Sequence, residues 1–128
     1  MREIIKKRMR HFILENDWEV VAGKSDQDND FISIHFSEPE DYWFHVEGCP
    51  GSHVLLLNKD GEEPHSSTIR TAAEIAAYYS KAKNASKAVV GLTKAKNVSK
   101  QKGSPSGQVM VKREKSLKVE PKLPETHA

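Results

Sequence analysis

His45 and His53 are the residues of this chain with the most chemistry to offer. They stand on either side of a Gly48-Cys49-Pro50-Gly51 turn, each inside a strand-like segment, so a hairpin could bring the two imidazoles together with Asp41 nearby. Two histidines and a carboxylate can hold a metal ion, but this spacing matches no standard zinc pattern. The single cysteine, Cys49, excludes a cysteine-based zinc cluster and an intramolecular disulfide. The plainer role for the pair is to hydrogen-bond backbone or Asp41 and fix the hairpin. The remaining role is contact with RNA, since an imidazole can stack on a base or donate to phosphate. Ser52 beside His53 resembles a hydrolase pair only superficially. Neighbours on a strand point to opposite faces, and neither a Gly-x-Ser-x-Gly elbow nor a Gly-x-x-x-x-Gly-Lys phosphate loop is present. The expectation is a non-enzymatic chain with no metal, no cofactor and no small-molecule substrate. Trp43 and Phe44 are adjacent, so one faces inward. Trp43 is either core or, if exposed beside lysines, a stacking platform for an unpaired base.

Charge is the stronger signal. The chain of 128 residues has a formal net charge of only +2, yet the charges are segregated. Residues 1–14 carry five basic residues and one acid, residues 15–63 carry thirteen acids and two lysines, and residues 81–118 carry eleven basic residues against Glu114 alone. Such asymmetry points to a polyanionic partner for the basic part. Lys81, Lys83, Lys87, Lys94, Lys96, Lys100 and Lys102 are interspersed with Asn, Ser, Gly and Ala, small neighbours that let a phosphate backbone approach. Arginine, which reads guanine edges bidentately, is represented there by Arg113 alone, so sequence-tolerant backbone binding is favoured. The reading requires these lysines to gather on one open cationic surface rather than be neutralised by the upstream carboxylates.

The elements that must position these residues follow from pattern. Phe12–Leu14 and Trp18–Ala22 predict a hairpin around an Asx-type turn. Residues 23–30 read as a loop, 31–36 as an alternating strand, and 42–46 and 52–57 as further strands. The one main helix follows Pro64, with Ser66, Ser67, Thr68 or Thr71 as its cap, a small-residue face for the sheet, and an end near Lys83-Asn84. A strand over 88–93, a basic loop over 94–107 and a last hairpin pairing 108–111 with 116–119 complete the chain. The fold class is α+β: a mostly antiparallel sheet with one main helix packed on it. Residues 1–119 make one domain and 120–128 a flexible tail. No run approaches the roughly 18 apolar residues of a membrane span, and the basic N-terminus is unlike a secretory signal. A cytoplasmic protein without a membrane partner is the simplest reading.

Several stretches together resemble a known family. They are Gly23-Lys24 with Asn29-Asp30, Asp41-Tyr42-Trp43-Phe44-His45-Val46, Gly51-Ser52-His53-Val54, and Ala72 through Ala82. Downstream, Val89–Thr93, Val98, Lys100, Gly103 and Pro105–Val109 continue the likeness. In combination they resemble the NFACT-R domain, the RNA-binding domain of the NFACT proteins of ribosome-associated quality control, over nearly the whole chain. The resemblance implies an RNA partner, tRNA or rRNA, with the ribosome as a dock; DNA or an acidic protein surface is the alternative. The Asp41–His45 and Gly51–His53 segments, with Asn29, would shape the site. The likeness is to the R domain alone, a form also found as stand-alone proteins, so the addition of C-terminal tails by full-length members is not carried over. Ser25 stands where many members have Asn, and Pro105-Ser106-Gly107 splits the Pro-Gly of the last loop.

Overall fold

Strands whose apolar residues occupy both alternate faces need cover on both sides, and that requirement organises this molecule. The strands are β1 Met9–Ile13, β2 Glu19–Gly23, β3 Tyr42–Val46, β4 Val54–Leu56, β5 Ala88–Lys94, β6 Val98–Ser99, β7 Met110–Val111 and β8 Lys115–Val119. In the computed structural model, which describes residues 2–125, six of them form an antiparallel sheet in the order β1-β2-β4-β3-β5-β8, and β6 pairs with β7 in a small separate ribbon. On one face Phe12, Val20, Ala22, Phe44, Val46, Val54 and Val90 meet the main helix α2, Ser66–Tyr78. Ala72, Ala73, Ala76 and Ala77 are all fully buried there beside Ile75, so over much of the contact only methyl groups separate the helix backbone from the strands. On the other face Met9, Val21, Trp43 and Leu55 meet Ile32 and Phe36. The α+β architecture expected from the pattern is the one observed. No helix among the described residues is long and apolar enough to cross a membrane.

The second cover is where the sequence reading fails. Residues 26–36 are neither loop nor strand but one continuous helical stretch: α1 at Asp26–Asp30, running directly into a π-helical turn at Phe31–Phe36. Ser25 starts it, its hydroxyl accepting from the Asp28 N–H at 3.0 Å, with Asp26 and Asp28 in the first turn where the helix dipole favours acids. Ile32, Ser33 and Phe36 face the sheet, a helical spacing that the period-two reading overlooked.

Smaller corrections concern the ends of α2 and the partners of β7 and β8. α2 stops at Tyr78 rather than near Lys83, because Tyr79 leaves helical geometry and the chain turns to pair Ser80 with Gly51. None of the hydroxyls offered as its cap is used; His65 holds the N-cap position without a side-chain bond. The last hairpin does not exist as expected: β7 pairs with β6, and β8 pairs with β5 instead. The described part of the C-terminal stretch lies against the domain, with Leu123 packed on the main core and Lys122 beside Glu74.

Asp41 ties three separate segments together. Its carboxylate is fully buried and takes both arms of the Arg2 guanidinium, at 2.6 and 2.9 Å. It also accepts the backbone N–H of Glu38 at 2.8 Å and of Asn58 at 2.6 Å. Removing it leaves two amide donors without an acceptor and takes the bidentate partner from a largely buried cation, which keeps only the Phe36 carbonyl at 3.2 Å and the more exposed Glu38 carboxylate at 3.3 Å. Asp41→Ala is therefore expected to lower unfolding free energy by about 3–5 kcal/mol, read from urea denaturation. A loss below about 1 kcal/mol would show that Asp41 is not this junction.

Candidate nucleic-acid interface

The residues first suspected of metal or RNA contact build a buried network instead. Trp43 is 2 % exposed and donates its indole N–H to Ser33 Oγ at 2.8 Å. Ser33 Oγ lies 2.8 Å from His53 Nδ1, and His53 is also 2 % exposed. His45 is half-buried, its ring stacked on Trp43 and set edge-on to His53 with centroids 5.2 Å apart. The His53 backbone N–H donates to Asn29 Oδ1 at 3.0 Å, and Asn29 Nδ2 reaches the Gly51 carbonyl at 3.4 Å. Trp43 and His53 therefore present no ring to a ligand, which corrects their assignment to an RNA surface. Asp41 belongs to the Arg2 junction and not to the histidine pair. No cluster of three or more metal-ligating side chains is found among the described residues.

The two serines near histidine fare no better as nucleophiles. The Ser52 hydroxyl donates to the Gly23 carbonyl at 2.8 Å, away from the His53 ring. Ser33 is within hydrogen-bond reach of His53, but both are sealed in the core. Ser33 Oγ already accepts from Trp43, so the natural arrangement has its own proton on His53 Nδ1.

An open groove of about 570 Å³ does form beside this network, where three turns meet. One is the Gly23–Asp26 turn leading into α1, one is Pro50–Ser52 before β4, and one is the Tyr78–Lys83 segment after α2. They are sewn together by backbone bonds: Ser52 N–H to the Tyr79 carbonyl at 2.9 Å and Lys81 N–H to the Pro50 carbonyl at 3.0 Å. Two glycines are needed at the seams. A Cβ on Gly23 would stand 2.1 Å from Asn29 Oδ1, and one on Gly51 would stand 2.7 Å from the Ser80 Cβ.

Four cations line this groove: Arg10, Lys24, Lys81 and Lys83. Asp26 is the one acid lining it, and none of the four cations is ion-paired among the described residues. Arg10 lies over the Tyr79 ring at 4.3 Å and Lys83 over the Tyr78 ring at 4.3 Å.

The other lysines are placed elsewhere, so the single cationic surface expected from the sequence is divided. Lys94 and Lys96 both reach Glu40, at 3.3 and 2.9 Å, and their hydrogen bonds, Lys96 first, hold the Glu40 carboxyl below its usual range. Lys94 also covers the Tyr42 ring. Lys100 pairs with Asp30 at 3.0 Å and donates to the Pro105 and Gln108 carbonyls. With all three ammonium protons engaged, it is a clamp for the loop before β7. Lys87 and Lys102 are exposed, but no contact joins them to the groove. Arg10, Lys24 and the two tyrosines were missed as site residues. The signals were present: the basic N-terminal run, and Lys24 inside the Gly-Lys pair.

Burial gives the histidine network a pH signature. Desolvation, with repulsion from His45 second, pulls the His53 pKa down to about 4, against weaker opposing pulls from Asp30 and from backbone bonds to Gly107 and Asn29. His45 is shifted down for the same first reason. Between about pH 4 and the ordinary histidine value of about 6.5, the unfolded chain binds a proton that the folded one refuses. The contribution of neutral His53 is thus complete above that window, declines as pH falls through it and is gone below it. It is expected to reach about 3 kcal/mol. Urea midpoints from pH 7 to 4 should fall more steeply in the parent than in His53→Gln. Parallel curves would remove His53 as the cause.

Comparison with known proteins identifies the family. The family described as the NFACT protein RNA binding domain matches residues 8–113. The Rqc2 homolog RqcH of Bacillus subtilis is 35 % identical over 80 % of this chain, and that of Streptococcus suis 32 % identical over 94 %. The chain spans only about a fifth of those relatives, 17 % and 22 % of their lengths. The solved C-terminal part of the fibronectin/fibrinogen-binding protein from Streptococcus suis superposes with a TM-score of 0.84 at 28 % identity, covering 95 % of this chain and 49 % of that one. A fold, a motif set and a family match that coincide over residues 8–113 leave one assignment: the chain belongs to the NFACT-R family of RNA-binding domains.

Proposed function

We propose that this chain is a non-catalytic RNA-binding domain that grips the phosphate backbone of tRNA or rRNA along the groove between the Gly23–Asp26, Pro50–Ser52 and Tyr78–Lys83 turns. The observation that carries the reading is the unpaired set Arg10, Lys24, Lys81 and Lys83 on one open surface, while Lys94, Lys96 and Lys100 are held by carboxylates. Arg10 and Lys83 each already cover one face of a groove tyrosine, which favours charge over base stacking as the source of affinity. The relatives named Rqc2 homolog RqcH, and the Drosophila melanogaster ribosome quality control complex subunit NEMF homolog, 32 % identical over 54 % of this chain, support a place at the ribosome and hence in the cytoplasm.

Four phosphate contacts predict a fall of log K against log salt with a slope between about −2.8 and −3.6. In anisotropy titrations, Lys81→Ala with Lys83→Ala should shrink that slope by about 1.4–1.8, and Lys94→Ala with Lys96→Ala should leave it nearly unchanged. tRNA and rRNA fragments should bind more tightly than duplex DNA or polyglutamate. Equal effects from both lysine pairs, or equal binding of DNA or polyglutamate, would overturn the reading.

A further inference from the structure

The far edge of the sheet carries a second surface, unrelated to the RNA groove. β8 ends the strand order, so one side of its backbone lacks a strand partner. Arg70 Nη1 donates to the Lys118 carbonyl at 3.3 Å. That contact marks Lys118 as a residue whose backbone faces away from β5, and antiparallel alternation gives Ser116 the same direction. Between this edge and the first half of α2 lies an open groove of about 480 Å³. Ile69, Leu92 and Leu117 supply its apolar part, and Arg70 and Lys115 are its only charged residues among those described. The chain does not cover it among the described residues. After β8 it turns over α2, where Lys122 meets Glu74 and Leu123 packs on the core.

A backbone edge with no strand partner, closed only by the exposed Arg70 contact at Lys118, an apolar floor and a cationic rim define an occupant. We propose that this edge docks an extended segment of a partner protein, added as a strand beside β8. On an added strand, alternate side chains face the same way. One apolar side chain would sit on Leu117 and Ile69, and acids two positions before and after it would meet Arg70 and Lys115. The side chains between them would face the opposite side of the sheet, where Ser116 is bonded to Glu47, and would be uncharged. The recognised pattern is acidic-x-apolar-x-acidic. The exposed backbone and apolar floor favour a peptide over RNA, which would leave both unused.

The probe is a fluorescein-labelled peptide, Gly-Asp-Thr-Val-Thr-Asp-Gly, titrated against the full nitrogen-15-labelled chain, with Lys replacing Asp in the control. Binding is expected to be at least about tenfold weaker for the control, with amide shifts at residues 115–118 and 66–70. Arg70→Glu with Lys115→Glu should reverse the preference between the two peptides. Ser116→Pro removes an outward N–H without touching the β5 ladder, a place where edge strands accept proline, and should weaken both. The proposal is overturned by no saturation at about 1 mM, by shifts confined to the groove at Lys81, or by displacement of the peptide by an oligouridine.

Discussion

The backbone of His53 sits where the β2–β4 ladder runs out, and its N–H must find an acceptor in a dry place. Asn29 Oδ1 supplies it. A buried amide without a partner costs about 1–3 kcal/mol, so this bond constrains much around it. Asn29 is in position only because the chain turns helical at Ser25, directly after β2. It fits only because Gly23 carries no side chain. Its amide nitrogen then reaches the Gly51 carbonyl, and Gly51 lies close enough to Ser80 to join the end of α2 to the same knot. The residues that resembled a ligand-binding motif are thus mainly a fastening. Their functional consequence is indirect: the turns they hold at fixed distances are the walls of the basic groove.

Charge is distributed around this frame in two ways. The acids between residues 15 and 63 are not a uniform shield. Glu40 takes Lys94 and Lys96, Asp30 takes Lys100, Asp28 takes Arg8 and Asp41 takes Arg2. Each pair closes a connection between segments, so these cations serve the fold. Exposed pairs such as Glu40 with Lys96 add little stability on their own, but they remove positive potential from that end of β5. Among the described residues lining the groove, Asp26 is the one acid. The potential a polyanion meets is therefore set by which lysines lack a partner, and not by how many lysines follow α2.

How much of this was legible follows from the range of the interactions involved. The β1–β2 hairpin, β3, β5 and α2 are visible because local alternation or helical spacing agrees with the tertiary outcome. Phe31–Phe36 is misleading because six residues can show alternation while obeying a helical requirement set by Trp43 and Leu55 across the core. The cue is Ser25 followed by Asp26 and Asp28, a helix start whose polar residues also suit a loop. β8 is misassigned because a hairpin is the default for two near strands, whereas the ladder beside β5 offers five paired residues in place of a two-residue ribbon. For the site, Lys81, Lys83 and Ser52 were visible. Arg10 and Lys24 join them only through the pairing of β1 with β2 and the Gly51–Ser80 bridge, contacts that no local pattern encodes.

The groove's aromatic residues bear on what the proposed interface would recognise. Arg10 and Lys83 rest on tyrosine rings, an arrangement worth about 0.5–1 kcal/mol at an exposed site. Its larger effect is on freedom, since long side chains lose rotamer entropy when a ligand fixes them. Holding two of the four cations over rings before binding reduces that loss and sets the spacing of their charges. The same contacts occupy ring faces that bases would otherwise use. On the proposed reading, a surface so arranged would follow the geometry of a charged backbone with few means of reading bases, and its selectivity would come from RNA shape.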